Sequence, residues 1–176
     1  MIRTLIIYGT RRGTTENTVS VIAETLILRH HHVVEISNIK KIKRYKHRFD
    51  EFDNYIIGSS IVSGRWINRV LRFLRKHDFE DRKVALFVTA GNTMDKVQRM
   101  GLTKDQAREE AIQNYITKYL DKFSFVPVDV TAFGGMVVRS GIQKYNTWNR
   151  NDIESWAIRL GKLFARKEEK EPTMNI

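Results

Sequence analysis

Leu5-Ile6-Ile7-Tyr8 runs without a charge into Gly9-Thr10-Arg11-Arg12-Gly13-Thr14-Thr15, and the residues that follow carry apolar side chains at helical spacing. A buried strand that passes through a Thr- and Gly-containing loop into a helix is a phosphate-binding arrangement. The first amides of a helix have no internal partner, and the helix dipole places partial positive charge there. Thr10, Thr14 and Thr15 add hydroxyl groups, and Arg11 and Arg12 add full charges. Gly13 lets the backbone approach an anion and adopt positive φ. The spacing, Thr-x-x-Gly-x-Thr, is neither the Walker pattern nor the dinucleotide pattern Gly-x-Gly-x-x-Gly. The plainer reading of the same residues is a Thr-rich cap on an ordinary helix.

The chain goes on alternating. Strands are expected over Ile2–Tyr8, Val33–Ile36, Tyr55–Ser59, Lys83–Thr89 and Phe125–Phe133, the last made irregular at its start by Pro127. Helices are expected over Thr15–His30, Arg65–His77, Thr103–Phe123 and Asp152–Arg166, each with an apolar stripe. Short apolar strands without clean alternation suit a parallel sheet covered on both faces. Right-handed crossovers then limit the fold to a doubly wound α/β sheet, whose ligand sits beyond the carboxyl ends of the strands. Residues 1–166 read as one domain and 167–176 as a disordered tail.

Composition narrows the chemistry. With 176 residues the chain is long enough for one real core, and the absence of Cys removes disulfides, thiolate metal sites and thiol nucleophiles. No metal site is expected, and no side chain announces itself as a general acid or base. The apolar run at the N-terminus is too short for a signal peptide, and no stretch approaches a membrane span. The formal net charge is +11, which points to an anionic partner.

The loops after the strands carry a family resemblance. Thr10 to Thr15 resembles the FMN-phosphate loop of flavodoxin-like proteins, with Arg12 where simple flavodoxins usually have Thr or Ser. Gly58-Ser59-Ser60-Ile61-Val62-Ser63-Gly64 resembles the loop that contacts the flavin ring in the menaquinone-dependent protoporphyrinogen oxidase branch, except that Ser63 stands where an aromatic is common. Trp66 is read either as a substitute for that aromatic or as core. Thr89-Ala90-Gly91-Asn92-Thr93 corresponds to the loop covering the other side of the ring. Phe133-Gly134-Gly135, followed by Tyr145-x-x-Trp148-x-Arg150, resembles the same branch in part. The resemblance implies a flavodoxin-like five-stranded sheet of order 2-1-3-4-5 and FMN as cofactor. It also implies an FMN-dependent oxidoreductase linked to a quinone and to heme biosynthesis. The implied cofactor-binding residues are Thr10, Arg11, Arg12, Gly13, Thr14 and Thr15 for the phosphate. Ser59, Ser60, Ile61, Val62, Ser63, Gly64, Thr89, Ala90, Gly91, Asn92 and Thr93 would frame the ring.

Two basic clusters stand apart from these loops. Ile39 to Arg48 holds six Lys or Arg and no acid, and Arg65, Arg69, Arg72 and Lys76 recur on one expected helix face. They read as a solvated surface, as a patch for anionic lipid, or as a site for an anionic substrate such as a porphyrinogen. No motif supports nucleic-acid binding. His30-His31-His32 is read as favourable charge at a helix C-terminus. The expected setting is the cytoplasm, with peripheral contact at the inner face of the membrane as one reading of the basic face. Three functions stay open: a quinone-linked oxidase, a soluble electron-transfer flavoprotein with a redox-protein partner, and a module without flavin that acts through its basic surface.

Overall fold

A computed structural model describes residues 1–165; the expected tail at 167–176 lies outside the described residues. The elements follow in order: β1 (Arg3–Gly9), α1 (Thr14–His30), β2 (Val33–Asn38), β3 (Asn54–Val62), β4 (Arg65–Trp66), α2 (Asn68–Lys76) and β5 (Lys83–Thr89). Then come α3 (Gly91–Arg99), α4 (Lys104–Tyr115), β6 (Asp129–Phe133), β7 (Met136–Arg139), β8 (Ile142–Asn146) and α5 (Arg150–Phe164). Short 3-10 helices cover Ile39–Tyr45, Phe49–Glu51 and Thr117–Lys122.

The sheet runs β2-β1-β3-β5-β6 with every neighbour parallel, which is the expected doubly wound order once the extra two-residue strand β4 is set aside. Ile6 lies opposite Ile36 on one side and Ile56 on the other. Strand pleating divides the core. Leu5, Ile7, Tyr55, Ile57, Val84 and Leu86 pack beneath α2, α3, α4 and the Ile39–Tyr45 turn. Ile6, Tyr8, Ile56, Ala85 and Phe87 meet α1 and α5 on the opposite face. Each such side chain buried from water contributes about 1.5–3 kcal/mol, so the two-sided sheet dominates the fold. Among the described residues no helix is long and apolar enough to cross a membrane.

Several boundaries differ from expectation, each with a local cause. The helix expected from Arg65 starts at Asn68, because Arg65 and Trp66 pair with Val62 and Ile61 as a hairpin. Arg65 therefore does not share a helix face with Arg69, Arg72 and Lys76. The turn between the strands is Ser63-Gly64, with φ of 49° and 73°, the signature of a two-residue type I′ turn. The helix expected to run to Phe123 stops at Tyr115, whose carbonyl accepts the indole N–H of Trp66; a 3-10 turn follows. Trp66 is thus a core residue, 6% exposed, that terminates α4 and does not reach the candidate site. Strand β6 begins only at Asp129, after Pro127.

The histidine run is also corrected. His31 takes the left-handed cap position of α1, while His32 is buried with Nδ1 3.0 Å from Thr4 Oγ1. Burial lowers the pKa of both His30 and His32. They are packing groups, then, rather than charges on the helix end; Arg29 supplies charge there.

Candidate functional site

Strands β1, β3, β5 and β6 all end at one edge of the sheet, and a cleft of about 210 Å³ lies beyond them. Thr10, Arg11, Arg12, Thr14 and Thr15 form one end. Ser60 to Gly64 form one wall and Thr89 to Thr93 another, so the loops singled out in the sequence converge on a single space. Gly13 and Ser59 are not among the lining residues. Ser59 is fully buried; its hydroxyl donates to the Ser60 carbonyl (2.9 Å) and accepts from the Ile67 amide (2.9 Å), bracing the β3–β4 hairpin.

The first turn of α1 is open to a ligand. Gly13 occupies the cap position at φ 83°, and no side chain caps the helix. Its amide donates to Thr10 Oγ1 at 3.1 Å, which folds the loop back and leaves the Thr10 hydroxyl proton free. The amides of the next residues point along the helix axis with nothing to satisfy them but solvent or an anion. Thr15 is also held within the fold: its hydroxyl is buried and shares a hydrogen bond of 2.8 Å with Thr89 Oγ1, in which either oxygen can be the donor, and so ties helix to strand. Glu16, the one acid in this turn, accepts from the Tyr8 hydroxyl at 3.1 Å and does not line the cleft.

The far side of the cleft comes from Tyr115, Gly135, Met136, Val137, Arg139 and Tyr145; none is among the implied cofactor-binding residues, although Gly135 and Tyr145 lie in the stretch after the last expected strand that carries part of the resemblance. Most belong to the β7–β8 hairpin, which was expected to be loop. The hairpin is anchored at both ends. Thr14 Oγ1 approaches the Met136 carbonyl at 3.5 Å, and Thr147 Oγ1 lies 3.3 Å from the Gly91 carbonyl and 3.2 Å from that of Gly135. A Cβ on Gly91 would stand 2.9 Å from the Gly135 backbone, so glycine is what lets the hairpin close against α3. The signal for it was Ser140-Gly141, with φ of 51° and 73°, a second type I′ turn of the Ser63-Gly64 kind. Tyr115 is partly packed against the core; it reaches the cleft edge because α4 stops there, and its hydroxyl pairs with Thr93 Oγ1 at 2.8 Å.

Three arginines line this cleft and no Asp or Glu does. Burial, followed by the charge of Asp95, raises the pKa of Tyr145, while Arg139 and Arg12 pull it the other way. The phenol therefore stays protonated at neutral pH as a hydrogen-bond donor. Ser60 Oγ is buried and has no hydrogen-bond partner, an orphan costing about 1–3 kcal/mol unless something else bonds it. The cleft is thus an anion-accepting end joined to a slot between two walls, with an unsatisfied hydroxyl in one wall.

Solved structures share the fold that carries this cleft. No curated protein matches the chain. Its fold is shared by a flavodoxin from the domain Archaea (13% identical, TM-score 0.55, covering 93% of this chain and 99% of that one). The Streptococcus pneumoniae TIGR4 flavodoxin is similar too (10%, TM-score 0.55, 91% and 95%). So is an NAD(P)H:quinone oxidoreductase from Methanothermobacter marburgensis (11%, TM-score 0.56, 92% and 98%). The profile of the flavodoxin domain family matches residues 5–174, and the chain belongs to that family.

Proposed function

We propose that the chain is an FMN-dependent oxidoreductase that passes reducing equivalents between an anionic substrate and a quinone, as the quinone-linked protoporphyrinogen oxidases do. The observation that carries this reading is the all-cationic cleft: an uncapped helix N-terminus at one end, a slot between two walls, and a further arginine at the far side. The residues fit FMN. The open amides of α1, the Thr10 hydroxyl and the Arg11 and Arg12 guanidiniums suit a phosphate. The orphaned Ser60 hydroxyl and the Gly91 region suit the polar edge and flat face of a ring.

FMN, when bound, supplies the hydride and electron chemistry. The chain's own groups bind and orient. Arg11 and Arg12 hold the phosphate end. Ser60 to Gly64 and Ala90 to Thr93 frame the ring from two sides. Tyr145, held protonated, donates a hydrogen bond within the cleft. Arg139 makes no ion pair among the described residues and is free to receive a substrate carboxylate. A porphyrinogen carries such carboxylates on its propionates.

The test is anaerobic incubation of the FMN-loaded protein with protoporphyrinogen and a menaquinone analogue, followed by porphyrin fluorescence. Porphyrin should form only when quinone is present, with quinol as the second product. Formation no faster than with free FMN refutes the oxidase reading.

A further inference from the structure

Residues 37–49 and 54–77 contain no Asp or Glu, and their Lys and Arg account for the whole formal charge of +11, leaving the remainder of the chain formally neutral. The two segments are neighbours in space. The 3-10 turn Ile39–Tyr45 and helix α2 touch each other on the same side of the sheet. Each turns its apolar side chains inward: Ile39, Ile42 and Tyr45 from one, Val70, Leu71 and Leu74 from the other. Their cations face out. Lys40, Lys41, Lys43, Arg44 and Lys46 are exposed and make no ion pair among the described residues. Arg65, Arg69, Arg72 and Lys76 are likewise exposed and unpaired among them. The opposite side of the sheet contrasts with this: Arg150 is held by Glu24 and Glu154, and Arg159 by Asp129.

We propose that this face, made by the Ile39–Tyr45 turn, β4 and α2, docks the protein on an anionic lipid bilayer. Charge complementarity identifies the occupant, and what the face lacks selects among anionic partners. None of the exposed large apolar residues lies in either segment. A protein interface needs such an anchor at its centre, whereas a plane of headgroups needs only distributed charge. The aromatics of the region, Tyr45, Phe49 and Phe73, are packed into the core and are not available to stack on bases. Long unpaired Lys and Arg side chains on three adjoining elements adapt to a fluid surface at no cost in broken contacts. Arg65 directly follows Ser63 and Gly64 of the cleft wall, so the basic face reaches the rim of the cleft. The inference does not rest on the flavin reading, and its test uses no activity.

The experiment is co-sedimentation of the full chain with vesicles of phosphatidylglycerol and phosphatidylcholine in equal parts, against phosphatidylcholine alone. Binding is expected only to the anionic vesicles and should be released at about 0.5 M salt, where screening is short-ranged. R44Q/R72Q should lower the partition coefficient by roughly fivefold per cation removed. R29Q/K162Q, the same change in charge on exposed residues of α1 and α5, should leave it nearly unchanged. All four positions are exposed and unpaired among the described residues, so both variants keep the fold. Failure to bind anionic vesicles overturns the proposal. Equal binding to neutral vesicles, or an equal loss in the two variants, does so as well. Retention on a heparin matrix without vesicle binding would assign the face to a protein or nucleic-acid partner, again overturning it.

Discussion

Thr15 Oγ1 lies 2.8 Å from Thr89 Oγ1, and both side chains are buried, at 0% and 5% exposure. This hydrogen bond joins the first turn of α1 to the last residue of β5, and so fixes the anion-accepting end of the cleft relative to one wall. Replacing Thr15 by Val leaves the Thr89 hydroxyl buried without its partner, which costs about 1–3 kcal/mol. T15V should lower the denaturant midpoint. T15V/T89V should recover much of the loss, because removing both partners leaves no orphan. A double-mutant cycle in urea measures the coupling.

Gly134 is the tightest point under the β7–β8 hairpin. A Cβ there would stand 1.8 Å from the Thr147 carbonyl oxygen, a backbone atom that cannot swing aside. Gly134→Ala should cost about 1–3 kcal/mol through overpacking. The displaced hairpin should also weaken ligand binding in the cleft. Thermal melts and flavin titrations on the same sample report the two effects.

Arg139 offers the converse case. It is exposed, lines the cleft and has no ion-pair partner among the described residues. Arg139→Gln should leave the urea midpoint unchanged and FMN affinity nearly so. It should weaken binding of a porphyrin dicarboxylate by about ten- to a hundredfold, in line with about 1.5–3 kcal/mol for a charge-assisted hydrogen bond. Porphyrin fluorescence titration measures that loss, and Arg139→Lys should restore part of it.

Acid should destabilise the protein through its buried histidines. Burial is the main cause of the lowered pKa at His32 and at His77, which sits among Phe49, Phe73 and Phe79 with ring centroids 4.4–4.7 Å away. The unfolded chain binds these protons at about pH 6.5 and the folded chain only at lower pH. Their contribution is therefore fully present above the unfolded value and is lost as pH falls below it. Urea midpoints should drop between about pH 7.5 and 5.5, and His77→Phe should flatten part of that drop while keeping the aromatic packing.

The sheet was legible because its signal is strong: apolar runs such as Leu5–Tyr8 and Val84–Val88 become strands buried on both faces. The cleft was legible for the same reason, since strand ends fix where loops meet. What the sequence hid depends on partners distant in the chain. Trp66 ends α4 by taking the Tyr115 carbonyl across 49 positions, so no local pattern marks that stop. Ser59 carries a hydroxyl of the right type in the right loop, yet it is spent on the Ser60 carbonyl and the Ile67 amide. The β7–β8 hairpin is exposed and has no apolar alternation; only Ser140-Gly141 betrays it.

The most direct test of the flavin site is titration of FMN with the protein, followed by flavin fluorescence, with riboflavin and Gly13→Asp as controls. A Cβ at Gly13 meets nothing within 4 Å, but the φ of 83° strains any side chain there, so a thermal melt of the variant, which sets a carboxylate at the open helix end, accompanies the titration. Stoichiometric quenching of FMN is expected, with riboflavin binding and the variant's FMN binding each weaker by about tenfold or more, as loss of one charged contact implies. An FMN fluorescence that does not change, or equal affinity for riboflavin and FMN, would contradict the phosphate-binding role of Thr10 to Thr14 and the oxidoreductase reading built on it.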